Sequence, residues 1–530
     1  MKPFIYLLSF FSLVFASACA PKTSSPDYAK TYDLFITGGT IIDGTGAPGF
    51  SGDILISGDK IAYIGAVDPK KISTKTNLLA DNLIIAPGFI DAHAHGNPLR
   101  DNHDKLRSFL RQGVTTVILG QDGSSPQRPD QTFTQWMEAV DTSGSAPNVA
   151  VLIGHGDIRR RSGGGEKDKI TPAEQTKMES LLSAAMDAGA YGLSTGLEYV
   201  PGRYADAAEL SGLAKTVGAH GGLISSHIRS EDDDAVAASV AELIDLAPYA
   251  PVNVTHVKVV YGKTAAQGEA VLQQIRDARA QGMAVSADVY PYLASFGSMT
   301  FLYPPWAKRE SEFNDAVANR REELEAFLRA KIKRRNGPGA ILVSSGKYTG
   351  KTLAEISEIT GTDPEDLIIE FEHGGPATAH FIMTKATQDV FITAPDVSIS
   401  SDGSPTMRHP RSFGSFPKVL EDYVVRDKTL PLELAIHKMT GLTAQTFGIQ
   451  SRGVLKPGYA ADILLIDLEN VKANTGWSDV NAVPSGIVTT IVNGNIASSE
   501  ASAVTQSYTR NINPEGLPTY GRMLRKTNGD

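Results

Sequence analysis

The sequence predicts an α/β protein in which a (β/α)8 TIM-like barrel is inserted into a small β-sandwich domain that both ends of the chain form. Three observations predict this fold class. Apolar strands and longer helical stretches alternate through the middle of the chain, turn-rich strand segments occur near both ends, and polar side chains stand where the apolar strands stop. At 530 residues, the chain is long enough for such a barrel with insertions.

The composition is ordinary for a soluble protein and argues against one class of partner. Hydrophobic residues make up 41% of the chain and charged residues 21%. The formal net charge is −9, and no stretch forms the basic stripe that typifies nucleic-acid-binding proteins. Nucleic acid is therefore not an expected partner.

The first residues have the pattern of an export signal. A lysine near the start precedes an apolar run over residues 3–15, which is shorter than the roughly 20 residues of a membrane span. The run ends in ASAC, which resembles a bacterial lipoprotein box with Cys19 as the lipidated residue. We expect residues 1–18 to be a signal peptide and residues 19–31 a tether, with export to the periplasm and a lipid anchor at Cys19 as the only membrane association. Plain secretion after cleavage at the same place is the alternative.

Cys19 is also the only cysteine of the chain. The folded part therefore has no disulfide, no thiolate metal ligand and no cysteine nucleophile. Any metal site in this chain must be built from nitrogen and oxygen ligands.

Segments at opposite ends of the chain predict one β-domain. Residues 32–66 alternate short apolar runs with turns rich in glycine and aspartate, which predicts an antiparallel sheet. A second such block near the other end contains GVLKPGYAADILLIDLENV and GIVTTIVNGNIASS. We therefore predict a β-sandwich from residues 32–86 and 450–505, followed by a tail over residues 506–530.

The middle of the chain has the rhythm of a parallel barrel. Helical stretches such as TPAEQTKMESLLSAAMDAG separate short apolar strands. The predicted strands are IIAPGFIDAHAH, GVTTVILG, VAVLIGHG, AYGLSTG, GGLISSHI, PVNVTHVKV, MAVSADVYPY and DVSISSDG. They predict a barrel over residues 87–449. A charged, helical segment at about 303–338 is interpreted as an insertion over the barrel mouth, either a solvated face or a substrate lid.

Polar side chains end the predicted strands, which is where a barrel of this kind keeps its active site. His93 and His95 are two residues apart and face the same side of their strand, so both imidazoles can reach one ion. Other strand ends carry Asp122, His227, His256, Lys258 and Asp402. A single histidine in such a place is usually just hydrogen-bonded, but four histidines and two aspartates at successive strand ends indicate a metal site. Nitrogen and oxygen ligands suit zinc, with manganese or iron as alternatives.

The chain resembles the metal-dependent amidohydrolase superfamily, specifically its D-aminoacylase (N-acyl-D-amino-acid deacylase) branch. The resemblance extends over about residues 32–498 and rests on the order and spacing of several motifs. These are GLSTGLEYVPGRYA, SSHIRSE, THVK, DVYPY, SSDGSP, HPRSFGSFPKVL, KMTGLTAQTFGI and RGVLKPGYAADILLID. The resemblance implies a metal-dependent hydrolase that splits N-acyl-D-amino acids into a carboxylate and a free amino acid.

The resemblance also implies roles for single residues, transferred by motif position. The metal ligands of the first, fifth and sixth strands correspond to His93, His95, His227 and His256. Asp402 resembles the aspartate of the eighth strand that serves as general acid/base. The groups that hold the substrate's carboxylate correspond to Lys258, Tyr290 and Arg411, and Tyr199 resembles a further substrate contact. The expected partner is a small molecule with a free carboxylate beside its amide.

The chain departs from the family pattern near the expected metals. Many relatives have a metal-binding cysteine where this chain has Asp122, which either bridges two ions as a harder ligand or caps the following turn. The His-x-His motif is often followed by two aspartates, but here by Gly96 and Asn97. The carboxylated lysine that joins two ions in many superfamily members has no counterpart in AYGLSTGLEY, although Glu198 is close. One ion or two are therefore both compatible with the motifs.

Two other functions are compatible with part of this pattern. A dipeptidase that cuts before a D-residue would need the same carboxylate-binding residues. A surface-anchored binding protein that lost catalysis would be expected to have a broken ligand set, whereas every expected ligand position is occupied by a competent side chain.

Overall fold

The computed structural model describes residues 25–100, 105–499 and 519–527. The predicted signal peptide and Cys19 lie outside these residues, so export and lipidation stay predictions.

The strands belong to the terminal β-domain, to the barrel and to the insertion. Numbered along the chain, they are β1 (Thr31–Thr37), β2 (Thr40–Ile41), β3 (Phe50–Ser51), β4 (Asp53–Ser57), β5 (Lys60–Gly65), β6 (Ser73–Leu79), β7 (Ile84–Pro87), β8 (Phe89–Asp91), β9 (Val114–Leu119), β10 (Asn148–Val151), β11 (Ile153–Gly154), β12 (Gly192–Gly196), β13 (Leu223–His227), β14 (Val252–Val254), β15 (Val285–Val289), β16 (Ala294–Ser298), β17 (Ile341–Val343), β18 (Ala377–Phe381), β19 (Ser398–Ile399), β20 (Ile463–Ile466), β21 (Ile487–Val492) and β22 (Asn495–Ser499).

The predicted (β/α)8 barrel is confirmed. Its parallel strands follow one another as β8, β9, β10 with β11, β12, β13, β14, β15 and β19. The eighth strand closes against the first, because the Asp402 N–H donates to the His93 carbonyl at 2.8 Å and the His95 N–H donates to the Gly403 carbonyl at 2.8 Å. Closure brings residues about 300 positions apart in the chain to the same rim.

Helices follow most barrel strands, and others lie in the insertion. They are α1 (Arg107–Leu110), α2 (Phe133–Ser143), α3 (His155–Ser162), α4 (Pro172–Asp187), α5 (Ala207–Ala219), α6 (Val236–Ile244), α7 (Ala265–Ala280), α8 (Glu310–Asn319), α9 (Arg321–Arg334), α10 (Leu353–Thr360), α11 (Pro364–Glu370), α12 (Lys385–Thr393), α13 (Arg411–Lys418), α14 (Leu432–Met439) and α15 (Gly441–Phe447).

The start of α4 shows how local sequence defines these helices. Thr171 accepts a hydrogen bond from the Glu174 N–H, and the Glu174 side chain accepts one from the Thr171 N–H. Pro172 occupies the first turn, where its missing N–H costs nothing. Met178 and Leu182 then face the barrel as buried residues. Among the described residues, no helix combines the length and the apolar composition needed to cross a membrane.

Both ends of the chain meet in the terminal β-domain. One sheet has the order β5-β4-β1-β6, and the other has the order β22-β21-β20-β7-β2-β3. The pairings within residues 32–66 are antiparallel, as predicted, while β6 and β7 add parallel pairings. Strand β20 pairs antiparallel with β7, which joins the two ends. Ile36, Ile85 and Ile463 are among the fully buried residues of the shared apolar core.

The insertion is larger than the segment predicted at 303–338. Between β15 and β19, the strands β16, β18 and β17 form an antiparallel sheet, and α8 to α11 pack with it around an apolar core of their own. Its second half, an apolar strand followed by helices, has the same local pattern as a barrel unit. Only the antiparallel pairing assigns it to the insertion.

Part of the predicted tail packs on the barrel. Met523 forms a parallel bridge with Val149, and the Leu524 N–H donates to the Val149 carbonyl at 2.7 Å. Residues 519–527 therefore extend the sheet beside β10.

Lys438, on α14, is a fully buried lysine outside the site described below. Its Nζ donates to the Ala394 carbonyl. Burial, opposed only in part by Asp396, lowers its pKa to about 7. In the unfolded chain, its pKa returns to the ordinary value of 10.5. Between these two values the unfolded state binds more protons, so this residue makes the free energy of unfolding rise with pH.

Replacing Lys438 with methionine is expected to remove that pH dependence. The melting temperature of Lys438→Met minus that of the wild type should be largest near pH 7. This difference should decline by a few degrees towards pH 9.5. Loss of the hydrogen bond to Ala394 lowers the melting temperature of the variant by an amount that does not depend on pH. Thermal unfolding across this range measures the effect, with the exposed Lys177→Met as control. A difference that stays constant with pH would contradict the prediction.

Candidate metal centre and substrate cavity

The barrel brings the first group of predicted ligands to one point. His93 and His95 follow β8, and their Nε2 atoms are 3.2 Å apart. Asp402, which follows β19, has its Oδ1 at 3.7 Å from His93 Nε2 and 3.3 Å from His95 Nε2. Together with Asp122, these side chains direct nitrogen and oxygen atoms to a place that could hold an ion.

Asp122 connects this group to a second one. Its Oδ1 lies 3.5 Å from Nε2 of both His93 and His256, and its Oδ2 lies 3.4 Å from His95 Nε2. His227 Nδ1 lies 3.0 Å from His256 Nε2 and 3.9 Å from Asp122 Oδ1. One carboxylate therefore stands between two pairs of histidines and is placed to bridge two ions.

The turn after Asp122 is stabilised by other groups. The Gly123 N–H donates to Ser194 Oγ at 3.1 Å, and the Ser124 N–H donates to the Gln121 carbonyl at 3.0 Å. The alternative in which Asp122 caps this turn therefore has no support in the geometry.

The donor set fits a zinc-type ion. Asp122 Oδ1 is buried and has no hydrogen-bond partner among the described residues. A buried acceptor without a donor is costly, and a cation at this point would satisfy it. Imidazole nitrogens and carboxylate oxygens without sulfur are ligands that zinc accepts.

Three site residues have a left-handed backbone. The φ angles are 55° at Asp122, 35° at His256 and 48° at Asp402. A non-glycine residue in this region costs on the order of 1–3 kcal/mol, and such residues cluster at functional sites. The strain occurs where the strands end and the chain turns, so these side chains owe their placement to the surrounding fold.

The carboxylates attract positive charge to this point. Burial disfavours protonation of His95, but the neighbouring carboxylates of Asp122 and Asp402 outweigh it and raise the pKa of His95 to about 9. Burial acts in the same way on His256, whose pKa nevertheless rises to about 10, with the nearby Asp122 carboxylate among the causes. Burial raises the pKa of Asp402, but Arg411 and the histidines outweigh this effect and hold it well below its usual range.

A cavity of about 150 Å³ opens beside the ligand groups. All four predicted substrate-binding residues line it, namely Lys258, Tyr290, Arg411 and Tyr199. The barrel thus brings the predicted metal ligands, the predicted general acid/base and the predicted substrate contacts into one site.

Two cations of this cavity are paired with carboxylates. Arg411 Nη1 lies 2.8 Å from Asp402 Oδ2, and Lys258 Nζ lies 2.5 Å from Glu231 Oε1. The Arg411 guanidinium carbon is also 4.8 Å from the centre of the Tyr290 ring. Arg411 Nε has no hydrogen-bond partner among the described residues, which leaves a donor for a substrate carboxylate.

Tyr199 contacts one of the predicted ligand histidines. Its hydroxyl is 3.0 Å from His227 Nδ1, and its ring centre is 4.4 Å from that of His227. Burial and then the charge of Asp122 raise the pKa of Tyr199 well above its usual range, so its hydroxyl keeps its proton.

Sequence reasoning missed two carboxylates that position His256. Glu231 Oε1 lies 3.1 Å from His256 Nδ1, and the His256 N–H donates to Asp288 Oδ1 at 2.9 Å. The Glu231 contact orients the imidazole of His256 through its Nδ1, whereas the Asp288 contact holds the backbone N–H of the same residue. Glu231 was visible within SSHIRSE, and Asp288 was visible as an acidic residue at the end of the apolar strand SADV.

A third carboxylate holds the first and eighth strands together. Asp91 accepts hydrogen bonds from the Ser401 N–H at 2.9 Å and the His93 N–H at 3.2 Å. Burial raises the pKa of Asp91 to about 7, although the bonds from Ser401 and His93 oppose it. Its partners identify Asp91 as the residue that aligns His93 with the segment carrying Asp402.

The insertion contributes side chains to the cavity. Phe301 and Arg335 line it, although neither belongs to the barrel. The pattern of the sequence offered no signal for Phe301, and Arg335 stands in a run of basic residues typical of a solvated helix end.

Comparison with known proteins gives relatives over almost the whole chain. The model of the amidohydrolase family matches residues 313–497. The chain is 32% identical over 485 residues to the N-acyl-D-glutamate deacylase of Alcaligenes xylosoxydans xylosoxydans, covering 87% of this chain and 93% of that protein. It is 29% identical over 492 residues to the D-aminoacylase of the same organism, covering 88% of this chain and 94% of that protein.

A solved structure shares the fold and contains a metal. It is the crystal structure of N-acyl-D-glutamate deacylase from Bordetella bronchiseptica, in complex with zinc and a phosphonate inhibitor that mimics the tetrahedral intermediate of the reaction. The two proteins align with a TM-score of 0.79 at 30% identity, covering 94% of this chain and 100% of that chain.

Proposed function

Because the chain belongs to the amidohydrolase family, in its N-acyl-D-amino-acid deacylase branch, we propose that it hydrolyses N-acyl-D-amino acids to a carboxylate and a free amino acid. Membership confirms the family predicted from the motifs. The observation that carries the proposal is the common cavity, in which a carboxylate between two histidine pairs lies beside a set of cations suited to a substrate carboxylate.

The residues that would hold the metal are His93, His95, Asp122, His227 and His256. Zinc, the ion in the relative's structure, is the expected cofactor, with manganese or iron as alternatives. Such an ion supplies Lewis-acid polarisation of the scissile carbonyl and lowers the pKa of water to about 7.

Asp402 is the general acid/base of the proposal. Arg411 keeps its carboxylate ionised, so that it accepts the proton of the attacking water. The same carboxyl group then acts as the acid and passes this proton to the nitrogen of the leaving amine. Proton transfer of this kind typically contributes about 10²–10⁴-fold to the rate.

Arg411, Lys258 and Tyr290 hold the carboxylate beside the amide. The guanidinium suits a two-point contact with a planar carboxylate, and the lysine adds a point charge. A substrate carboxylate that binds Arg411 also competes with Asp402 for it, which makes Asp402 a stronger base when substrate is present. Tyr199 lies on the side of the cavity nearest His227 and would contact the acyl group.

A screen of small amides tests the proposed function. N-acetyl-D-amino acids, their L-enantiomers and L-Xaa-D-Xaa dipeptides are incubated with the enzyme reconstituted with zinc or with manganese, and free amino groups are counted. We expect N-acetyl-D-amino acids to be hydrolysed faster than their L-enantiomers. Preference for the L-enantiomers, or no release from any amide, would overturn the proposal.

A dipeptidase that cuts before a D-residue is the second candidate. Glu198 favours it, because this carboxylate lines the same cavity, 3.0 Å from His227 Nε2, where an ammonium group could pair with it. Faster hydrolysis of the dipeptides than of the N-acetyl compounds in the screen above would select this function.

Export to the periplasm and lipidation of Cys19 form the proposal for localisation. Its support is the apolar run followed by ASAC. Cys19→Ala is expected to move the protein from the membrane fraction to the aqueous fraction, because a thioether-linked lipid can no longer form. Fractionation and incorporation of labelled fatty acid measure the change, with Ser24→Ala as control. Unaltered fractionation of Cys19→Ala would contradict lipidation.

A further inference from the structure

His409 is a fully buried histidine that the proposed chemistry does not use. It stands two positions before Arg411, in the segment HPR between β19 and α13. His409 Nδ1 accepts a hydrogen bond from the Arg411 N–H at 3.0 Å. Arg411 is the first residue of α13, where an N–H has no acceptor within the helix. The His409 side chain therefore fixes the start of the helix that carries the Arg411 guanidinium.

The other ring nitrogen of His409 contacts the insertion. His409 Nε2 lies 3.2 Å from the carbonyl oxygen of Ala294, the first residue of β16. Because Nδ1 accepts a hydrogen bond, the single proton of the neutral imidazole is on Nε2, which donates to this carbonyl. Burial, then the charge of Arg411, hold the pKa of His409 well below its usual range, which agrees with a neutral ring. Both ring nitrogens are thus engaged, and the tautomer is fixed.

The Ala294 carbonyl also accepts a hydrogen bond from a predicted substrate-binding residue. The Tyr290 hydroxyl donates to it at 3.4 Å. His409 therefore bonds Arg411 directly and shares an acceptor with Tyr290. One imidazole connects two of the residues that are expected to hold the substrate's carboxylate.

Aromatic rings from two other parts of the chain hold the imidazole of His409. The ring centre of Tyr292 lies 5.6 Å from it at an interplanar angle of 87°, and that of Trp477 lies 4.5 Å from it at 71°. Trp477 belongs to the connection between β20 and β21, so the terminal β-domain contributes to this contact. Edge-to-face packing of this kind fixes the ring plane, and with it the directions of both hydrogen bonds.

We propose that His409 is a positioning residue for recognition of the substrate's carboxylate, acting on Arg411 through Nδ1 and on Tyr290 through the Ala294 carbonyl. This inference rests on the proposed function. When the Tyr290 hydroxyl turns from Ala294 to the substrate, the carbonyl keeps its hydrogen bond from His409 Nε2. The exchange therefore leaves no buried acceptor without a donor. Arg411 meets the carboxylate from a helix start that is already fixed, which reduces the ordering cost of binding.

Replacing His409 is expected to reduce recognition of the carboxylate rather than turnover in general. N-acetyl-D-leucine carries the carboxylate, and N-acetyl-D-leucinamide carries an uncharged carboxamide in its place. In His409→Phe, the ratio of kcat/KM for the acid to that for the carboxamide should fall by about 10- to 100-fold, as expected when hydrogen bonds to a charged group are weakened. A merely structural role would lower both values together, so an unchanged ratio overturns the inference. His220→Phe, at the end of α5, is the control and should keep the wild-type ratio.

Asparagine and glutamine separate the two hydrogen bonds of His409. The side-chain oxygen of asparagine replaces Nδ1, so His409→Asn keeps the acceptor for Arg411 and loses the donor to Ala294. The side-chain nitrogen of glutamine replaces Nε2, so His409→Gln has the opposite effect. The ratio should therefore respond less to His409→Asn when Tyr290 is already phenylalanine, and less to His409→Gln when Arg411 is already lysine. Effects that add fully in both double-mutant cycles overturn the proposed connections. The same two variants decide the question if His409→Phe does not fold.

Binding without turnover separates this inference from the proposed function. Calorimetry with the zinc-loaded protein compares D-leucine with D-leucinol, which has a hydroxymethyl group in place of the carboxylate. The wild-type protein should bind D-leucine more tightly, and His409→Phe should lose about 10-fold or more of this preference. That result supports the inference even if no N-acyl-D-amino acid is hydrolysed, in which case only the proposed function fails. No preference in the wild-type protein, or the same preference in the variant, overturns the inference.

Discussion

Asp402→Asn is expected to lower kcat by about 10²–10⁴-fold while the protein keeps its metal. Asparagine keeps the shape of the side chain but cannot accept the proton of the attacking water. Its carbonyl oxygen still faces His93 and His95, whose Nε2 atoms lie 3.7 and 3.3 Å from Asp402 Oδ1. Steady-state kinetics on an N-acetyl-D-amino acid and elemental analysis of the purified variant measure the two effects.

The control for this prediction is a change of the same kind far from the site. Asp245→Asn removes a carboxylate from the exposed end of α6 and should leave kcat near the wild-type value. Near-wild-type turnover in Asp402→Asn would remove Asp402 from the mechanism. Loss of metal together with turnover would instead make Asp402 chiefly a ligand.

Asp122→Asn is expected to weaken zinc binding by more than about 100-fold, because loss of an outer-sphere partner alone costs about 10–100-fold. Asp122 Oδ1 and Oδ2 lie within 3.5 Å of three histidine nitrogens, so both ligand groups lose their shared anion. Asparagine tolerates the left-handed backbone at this position, where φ is 55°, and so separates loss of the ligand from backbone strain. Competition with a chelator and elemental analysis measure affinity and stoichiometry.

Asp122→Cys is the informative companion variant. A cysteine at this position resembles many relatives, and a thiolate is a softer ligand than a carboxylate. The variant should bind zinc again, with a larger preference for zinc over manganese than the wild-type protein has. Unchanged metal affinity and stoichiometry in Asp122→Asn would show that the aspartate is structural.

Local sequence was enough to predict the barrel and the ligand groups. Each barrel strand is a short apolar run between helices, and each ends in a polar residue such as His93, His227 or Asp402. Because the carboxyl ends of parallel strands lie on one rim, such residues must meet once the strands are known to be parallel. The motifs then indicated which of them belong together.

Other features depend on contacts between distant segments. Strand β17 has the local sequence pattern of a barrel strand, and only its antiparallel pairing with β18 places it in the insertion. Arg335 belongs to the run KIKRR, in which every basic residue has the pattern of a solvated helix end. The fold exposes Lys333 and Arg334 and buries Arg335 in the cavity, because α9 packs one side against the insertion core.

The sequence by itself determined the fold class, the family and the histidine and aspartate residues that meet on the barrel rim, because strand ends and motifs are local properties. The tertiary structure alone decided that Asp122 stands between two histidine pairs and that Glu231 and Asp288 position His256. It alone also decided that, within the described residues, the buried Nε and Nη1 of Arg335 have no hydrogen-bond partner. These are properties of distance and burial between segments far apart in the chain, and they arise only when closure of the barrel and packing of the insertion bring those segments together.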